Sequence, residues 1–266
     1  MYGAIIGDII GRRFEFDRGN KSREFELFTS ECDYTDDTVM TVAVAEALLD
    51  AGLDADEKTV KANLIKSMKK WGKRYPYAGY GARFISWVLT DDPEPYGSYG
   101  NGSGMRVSPV GWLYDSMERT REVARWTAEV SHNHPEGVKG AESVAAAIYM
   151  ARNGSNMEEI RGYIEKEFGY DLSRTLDEIR PKYQHVEDCM HTIPEAFECF
   201  LEANSYEECI RNVMYIGGDT DTLGAIAGAI AEAKWGVPEK LIKQAGEFLP
   251  DDILEVVKRF FNTLKK

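Results

Sequence analysis

The sequence predicts an all-α fold of roughly a dozen helices, and three observations carry that expectation. Apolar residues recur at helical spacing in segment after segment, the clearest stripe being Val60, Leu64, Ile65, Met68 and Trp71. Alternation with a period of two, the mark of a half-buried strand, is almost absent. Stop signals such as Gly52, Asn153-Gly154 and Gly236-Val237-Pro238 punctuate the chain at short intervals. With 266 residues, 43% of them apolar, the chain can bury a substantial core, and nothing in it reads as a linker, so residues 1–266 are taken as a single domain.

Residues 2–11 read as a helix whose Gly3, Ala4, Gly7 and Gly11 allow a neighbour to approach closely. Glu15 follows between Phe14 and Phe16, where apolar surroundings can tune a carboxyl group for proton transfer or leave it merely exposed beside buried rings. The charged, aperiodic stretch 18–33 is expected to be a mobile loop. Helices are then predicted over about 37–50, 56–73 and 82–90. The segment Tyr96 to Pro109 holds Gly100, Asn101, Gly102, Ser103, Gly104 and Met105, a glycine-rich loop able to bring bare N–H groups close to an anion. It has neither dinucleotide-fold nor Walker spacing, so an ordinary flexible loop is the alternative.

A helix opens near Pro109 and carries Val110, Leu113, Tyr114 and Met117, and another covers about 119–130. Ser131-His132-Asn133-His134-Pro135 forms a junction whose histidines either touch a ligand or simply satisfy the turn; lacking carboxylate neighbours, they are not expected to bind metal. Helical pieces follow at 141–152, 156–168, 173–187, 194–201, 206–215, 221–235, 238–247 and 251–264.

Two of these helices start with more oxygen than capping requires. Tyr34-Thr35-Asp36-Asp37-Thr38 opens the second helix, and Gly217-Gly218-Asp219-Thr220-Asp221-Thr222 opens the helix beginning near 221. One Asp or Thr at each start serves as an N-cap, which leaves the other carboxylates without a task. If the two starts meet in space, Asp36, Asp37, Asp219 and Asp221 repel one another by roughly 1 kcal/mol per pair at about 4 Å in water, and by more at lower dielectric. A cation would offset that repulsion, and an all-oxygen ligand set suits Mg²⁺, Mn²⁺ or Ca²⁺ better than zinc. The alternative is a pair of well-capped helices.

The formal charge of −13 and pI near 4.9 argue against a surface that wraps nucleic acid. No window is apolar enough to span a membrane, and the N-terminal apolar run is broken by Asp8 and lacks a basic leader, so a cytoplasmic protein is expected. Cys32, Cys189, Cys199 and Cys209 form no CxxC pair and read as free thiols.

Taken together, Gly3-Ala-Ile-Ile-Gly-Asp-Ile-Ile-Gly-Arg-Arg-Phe-Glu-Phe, Tyr34-Thr-Asp-Asp-Thr, Gly100-Asn-Gly-Ser-Gly-Met-Arg, Ser131-His-Asn-His-Pro-Glu-Gly-Val-Lys-Gly-Ala and Gly217-Gly-Asp-Thr-Asp-Thr resemble the ADP-ribosylglycohydrolase family over nearly the full length. That family includes hydrolases acting on modified dinitrogenase reductase, ADP-ribosylarginine and ADP-ribosylserine. The resemblance implies a compact orthogonal bundle around two Mg²⁺ or Mn²⁺ ions. On the matching positions it implies Thr35, Asp36, Asp37, Asp219, Asp221 and Thr222 as metal ligands, and Glu15 on a mobile loop near the ions. It also implies the loop from Gly100 through Asn101, Gly102, Ser103 and Gly104 to Met105 as the diphosphate cradle, with His132 beside the ligand.

Glu15 and Asp36 or Asp37 are the candidate acid and base groups for cutting the bond between the distal ribose and its acceptor. The implied partner is an ADP-ribosylated protein, the arginine-linked form first, or a small ADP-ribose conjugate, acted on by a monomer. Serine-linked or O-acetyl ADP-ribose is the alternative substrate, and a non-catalytic, crystallin-like binder is the alternative role. Two departures stand out. Arg12 and Arg13 replace smaller residues, so the Glu15 loop is expected either to contact substrate phosphates or to fold back. Gly104 is expected to make the cradle more flexible.

Overall fold

The computed structural model describes residues 1–19 and 21–265. The helices run α1 (Tyr2–Gly11), α2 (Asp36–Ala51), α3 (Glu57–Arg74), α4 (Ala82–Leu89), α5 (Gly102–Met105), α6 (Ser108–Leu113), α7 (Met117–Glu129), α8 (Pro135–Arg152), α9 (Met157–Phe168), α10 (Leu176–Ile179), α11 (Cys189–Leu201), α12 (Tyr206–Ile216), α13 (Thr220–Trp235), α14 (Glu239–Gly246) and α15 (Asp251–Thr263). A 3₁₀ turn at Arg12–Phe14 continues α1. Among the described residues the only strand-like pairing is an isolated antiparallel bridge between Gly100 and Asp188, so the all-α expectation holds. No described helix is long and apolar enough to cross a membrane.

Capping side chains start most of these helices. Asp56, Ser116, Asp188 and Ser205 each accept from the backbone N–H three residues on, and Asn156 and Thr175 form full capping boxes with Glu159 and Glu178. Losing one such cap costs about 1 kcal/mol.

Helix α13 is the centre of the structure, with every residue from Thr220 to Glu232 buried. Its closest neighbour is α1, and the seam between them is built of glycine. A Cβ at Gly7 would sit 2.0 Å from the carbonyl oxygen of Gly224, and one at Gly3 would sit 2.1 Å from that of Gly228. The close approach expected for α1 is therefore made to α13, backbone against backbone. It also draws the C-terminal end of α1 onto the start of α13, where Thr220 Oγ1 donates to the carbonyl of Gly11 at 2.8 Å.

Several expectations need correction. Residues 173–187 do not form one helix: only Leu176–Ile179 is helical, and the chain beyond runs past the glycine-rich loop to the bridge at Asp188. Helix α11 opens at Cys189 under the Asp188 cap, so Pro194 lies inside it and does not start it. Helix α8 opens at Pro135, with the His134 ring accepting from the N–H of Glu136 at 3.2 Å, and α6 closes at Leu113. The stretch 18–33 is aperiodic but tied down. Lys21 donates to Tyr183 O at 2.7 Å, Arg23 to Asn212 Oδ1 at 2.8 Å, and Arg211 to Arg23 O and Phe25 O at 2.8 and 3.0 Å. Asn20 lies outside the described residues. All four cysteines are buried free thiols.

Candidate active site

The starts of α2 and α13 meet beside the last turns of α1. Thr35 caps α2, its hydroxyl accepting from the N–H of Asp37, so neither Asp36 nor Asp37 is spent on capping. Asp219 occupies the cap position of α13 without using its side chain there; that carboxylate accepts from Asn101 Nδ2 at 2.6 Å instead. The alternative of two ordinary capped helices therefore leaves Asp36, Asp37, Asp219 and Asp221 unexplained. Thr222 Oγ1 lies 3.4 Å from Asp37 Oδ2, which joins the two segments directly.

Sequence reading passed over Asp8, which is fully buried on α1. It accepts from Thr35 N and Oγ1 at 2.9 and 2.8 Å and from Thr38 N and Oγ1 at 3.0 and 2.5 Å. A carboxylate that only accepts thus ties α1 to the first turn of α2. Carboxylate oxygens of Asp8, Asp37 and Asp221 lie within 4.8 Å of one another. The signal was available, since Asp8 is the one charged residue in an otherwise apolar helix.

Among the described residues, the aspartates that pair with a base are Asp17, Asp50, Asp115, Asp188 and Asp252, and none of the clustered acids is among them. Desolvation holds the carboxyl groups of Asp36, Asp37 and Asp221 well above the ordinary range, and mutual repulsion adds to it. Burial pushes Asp8 and Asp219 up to about 6, against the hydrogen bonds they accept. The Oδ1 atom of Asp37 is buried without a hydrogen-bond partner among the described residues. An orphaned carboxylate oxygen among unneutralised carboxylates, with only oxygen donors around it, fits a hard divalent cation. Asp36, Asp37, Asp219, Asp221 and Thr222 face the same space and would be its ligands. Thr35 is turned towards Asp8 and Asp37 and does not line that space.

These acids form one end of a cleft of about 510 Å³, a size suited to a nucleotide-like ligand. Glu15 enters it from a strained turn in which Phe16 and Asp17 adopt left-handed backbone angles, φ 58 and 56. Asp17 holds the turn by accepting from His185 N and Gly218 N, each at 3.0 Å, and the Phe16 ring lies 4.5 Å from that of His185. Burial, then the charge of Asp221, pushes Glu15 up to about 7. Glu15 and Asp219 also lie within 4.8 Å of a ring nitrogen of His185, another residue the sequence did not single out. Arg13 folds back: its guanidinium donates to Thr29 Oγ1 and to Glu26 O and stacks on Phe14, away from the cleft.

The other end is lined by Gly100, Gly102, Met105, Arg106 and His132, with Phe84 and Tyr96 against the His132 ring, while Asn101 and Tyr80 join it to the acids, Asn101 through Asp219 and Tyr80 beside Asp36. Ser103 and Gly104 point elsewhere. The Ser103 hydroxyl donates to Gly137 O at 2.7 Å, and a Cβ on Gly104 would lie 2.6 Å from Ile193 Cδ1, so Gly104 serves tight packing and adds no flexibility.

A sequence model of the ADP-ribosylglycohydrolase family matches residues 1–266. The chain belongs to that family. ADP-ribosylhydrolase ARH3 of Mus musculus is 28% identical, over 96% of this chain and 88% of the relative. ADP-ribosylarginine hydrolase Tri1 of Pseudomonas putida is 24% identical, over 89% of this chain and 70% of the relative. Among solved structures, a chain titled ADP-ribosylglycohydrolase-related protein complex superposes with a TM-score of 0.72 at 23% identity, covering 97% of this chain and 95% of that one. That likeness supports the fold. As a family member the protein is an ADP-ribosylglycohydrolase, an enzyme that cuts a glycosidic bond.

Proposed function

We propose that this ADP-ribosylglycohydrolase removes ADP-ribose from arginine side chains of modified proteins, with two Mg²⁺ or Mn²⁺ ions held between Asp36-Asp37 and Asp219-Asp221-Thr222. One observation carries the reading: two distant acidic helix starts converge, without a basic partner among the described residues, at one end of a nucleotide-sized cleft. Arginine as the acceptor is supported by the Pseudomonas relative's name.

The two ends of the cleft match the two ends of the substrate. At one end Arg106 is buried with no carboxylate partner among the described residues, and Gly100 and Gly102 present no side chain, which suits a diphosphate. At the other, breaking the bond at C1 of the distal ribose builds positive charge on the sugar, and the carboxylates of Glu15, Asp36 and Asp37 stabilise it. Glu15, whose carboxyl burial holds above the ordinary range, can give a proton to the leaving nitrogen or take one from water. Asp36, open to the cleft, is the second candidate for proton transfer, and Asp37 is the third. A divalent cation held by Asp36, Asp37, Asp219, Asp221 and Thr222 would supply Lewis-acid polarisation.

The test is a panel of arginine-linked, serine-linked and O-acetyl ADP-ribose, each incubated with Mg²⁺, with Mn²⁺ and with chelator. Cation-dependent release of ADP-ribose from the arginine conjugate is expected. Release from another linkage alone moves the acceptor assignment, and cation-dependent binding without any cleavage favours a binding protein.

A further inference from the structure

The imidazole of His132 carries its proton on either nitrogen when neutral, and its neighbours decide which. Its Nδ1 lies 2.8 Å from Ser131 Oγ. The same oxygen lies 2.8 Å from Nη2 of Arg106. A guanidinium only donates, so one lone pair of the serine oxygen is taken. Among the described residues, the serine proton has no acceptor within hydrogen-bond distance other than His132 Nδ1. Were Nδ1 to carry the proton, two donors would meet at Ser131 and its own proton would be stranded in a fully buried site, which is unfavourable.

Arg106 is itself fixed by a second bond from Nη2 to Thr127 O at 2.8 Å, with the Phe84 ring 5.7 Å from its guanidinium carbon. The far nitrogen of His132 faces the cleft. A Cβ on Gly102 would lie 3.2 Å from Nε2, and one on Gly100 would lie 3.5 Å from it. Side chains at those positions would cover this atom, and the glycines leave it open. Burial, then the charges of Arg106 and Arg83, holds the ring neutral, so the tautomer decides whether Nε2 donates or accepts.

We infer that Arg106 and Ser131 are positioning residues that hold His132 as its Nε2–H tautomer, so that the ring presents a hydrogen-bond donor to an anionic oxygen of the bound ligand. Arg106 fills one lone pair of the serine oxygen, and the serine's own proton is left to turn to Nδ1, which completes the relay. The identity of the ligand rests on the proposed function. The tautomer does not.

Histidine ¹⁵N spectra of the wild-type protein test the tautomer directly, with the His132 signals assigned by their loss in His132→Gln. An Nε2–H, Nδ1-unprotonated pattern at neutral pH is expected, and an Nδ1–H pattern overturns the inference. In Ser131→Ala the ring should shift towards Nδ1–H, and affinity for ADP-ribose should fall about 3- to 10-fold, the weight of one hydrogen bond. Ser131→Thr, which keeps the hydroxyl, should restore both. An Ser131→Ala ring that keeps the wild-type pattern also overturns the inference. If wild-type protein fails to bind ADP-ribose while the Nε2–H pattern is present, the ligand reading fails and the relay stands.

Discussion

Asn101 donates its side-chain N–H to a carboxylate oxygen of Asp219 at 2.6 Å, and a second bond runs to Thr192 Oγ1 at 3.1 Å. The glycine-rich loop and the start of α13 are therefore one hydrogen-bonded unit, and the two ends of the cleft are set relative to each other by this contact.

Replacing Asn101 with Ala should lower affinity for Mn²⁺ by about 10- to 100-fold, the usual weight of a group that orients a ligand carboxylate. Calorimetric titration measures it. Asn101→Asp should be worse, because it adds a carboxylate where a donor stood. Unchanged Mn²⁺ affinity in both variants would remove Asp219 from the ligand set.

Glu15 enters the cleft on a turn held by Asp17 and is absent from the hydrogen bonds that define the acid cluster. Glu15→Gln should cut turnover by about 10²- to 10⁴-fold, the range of general acid–base catalysis, while ADP-ribose affinity changes little. Steady-state kinetics beside a binding titration separate the two, and parallel losses would make Glu15 a binding residue.

At the α1–α13 seam a Cβ on Gly7 has no space, since the carbonyl of Gly224 would be 2.0 Å away. Gly7→Ala should cost at least about 1–3 kcal/mol of stability through overpacking, read from denaturant unfolding. It should also weaken Mn²⁺ binding, because Asp8 and Asp221 move with the two helices. Loss of stability with intact cation affinity would show that the seam holds the fold without setting the site.

Much of this could be read in the chain. Gly3, Gly7 and Gly11 announced a close crossing, and the surplus oxygen around Asp36 and Asp219 announced a site, because both depend on local spacing. Asp8, His185 and Arg106 were missed because their roles depend on which distant segments fold against them: Asp8 looks like an interruption until Thr35 and Thr38 donate to it. The segment 173–187 was misread for a related reason. Its polar residues suit a surface helix, but it is drawn out past the glycine-rich loop to the bridge between Gly100 and Asp188.

The acid cluster makes stability depend on pH in an unusual direction. Asp8 and Asp219 at about 6 and Glu15 at about 7 are raised above their unfolded values, so in cation-free protein the folded state binds more protons than the unfolded one between about pH 4 and 7. Folding stability should therefore fall as pH rises through that window. Thermal melts in chelator from pH 5.5 to 8 should show Tm declining. Adding Mg²⁺ or Mn²⁺ at about one hundred times Kd should stabilise the protein at neutral pH by about 2.7 kcal/mol for each ion bound, a rise in Tm of roughly 10–20 °C for two ions. A Tm that climbs with pH in chelator would mean the acids are neutralised within the protein.

The most direct measurement is anomalous scattering at the manganese edge from crystals soaked in Mn²⁺. Two peaks are expected between the carboxylates of Asp36 and Asp37 on one side and those of Asp219 and Asp221 on the other, and both should vanish in Asp221→Ala. Absence of density at that position in the wild-type protein, or manganese bound only elsewhere, would contradict the cation centre on which the proposed hydrolysis depends.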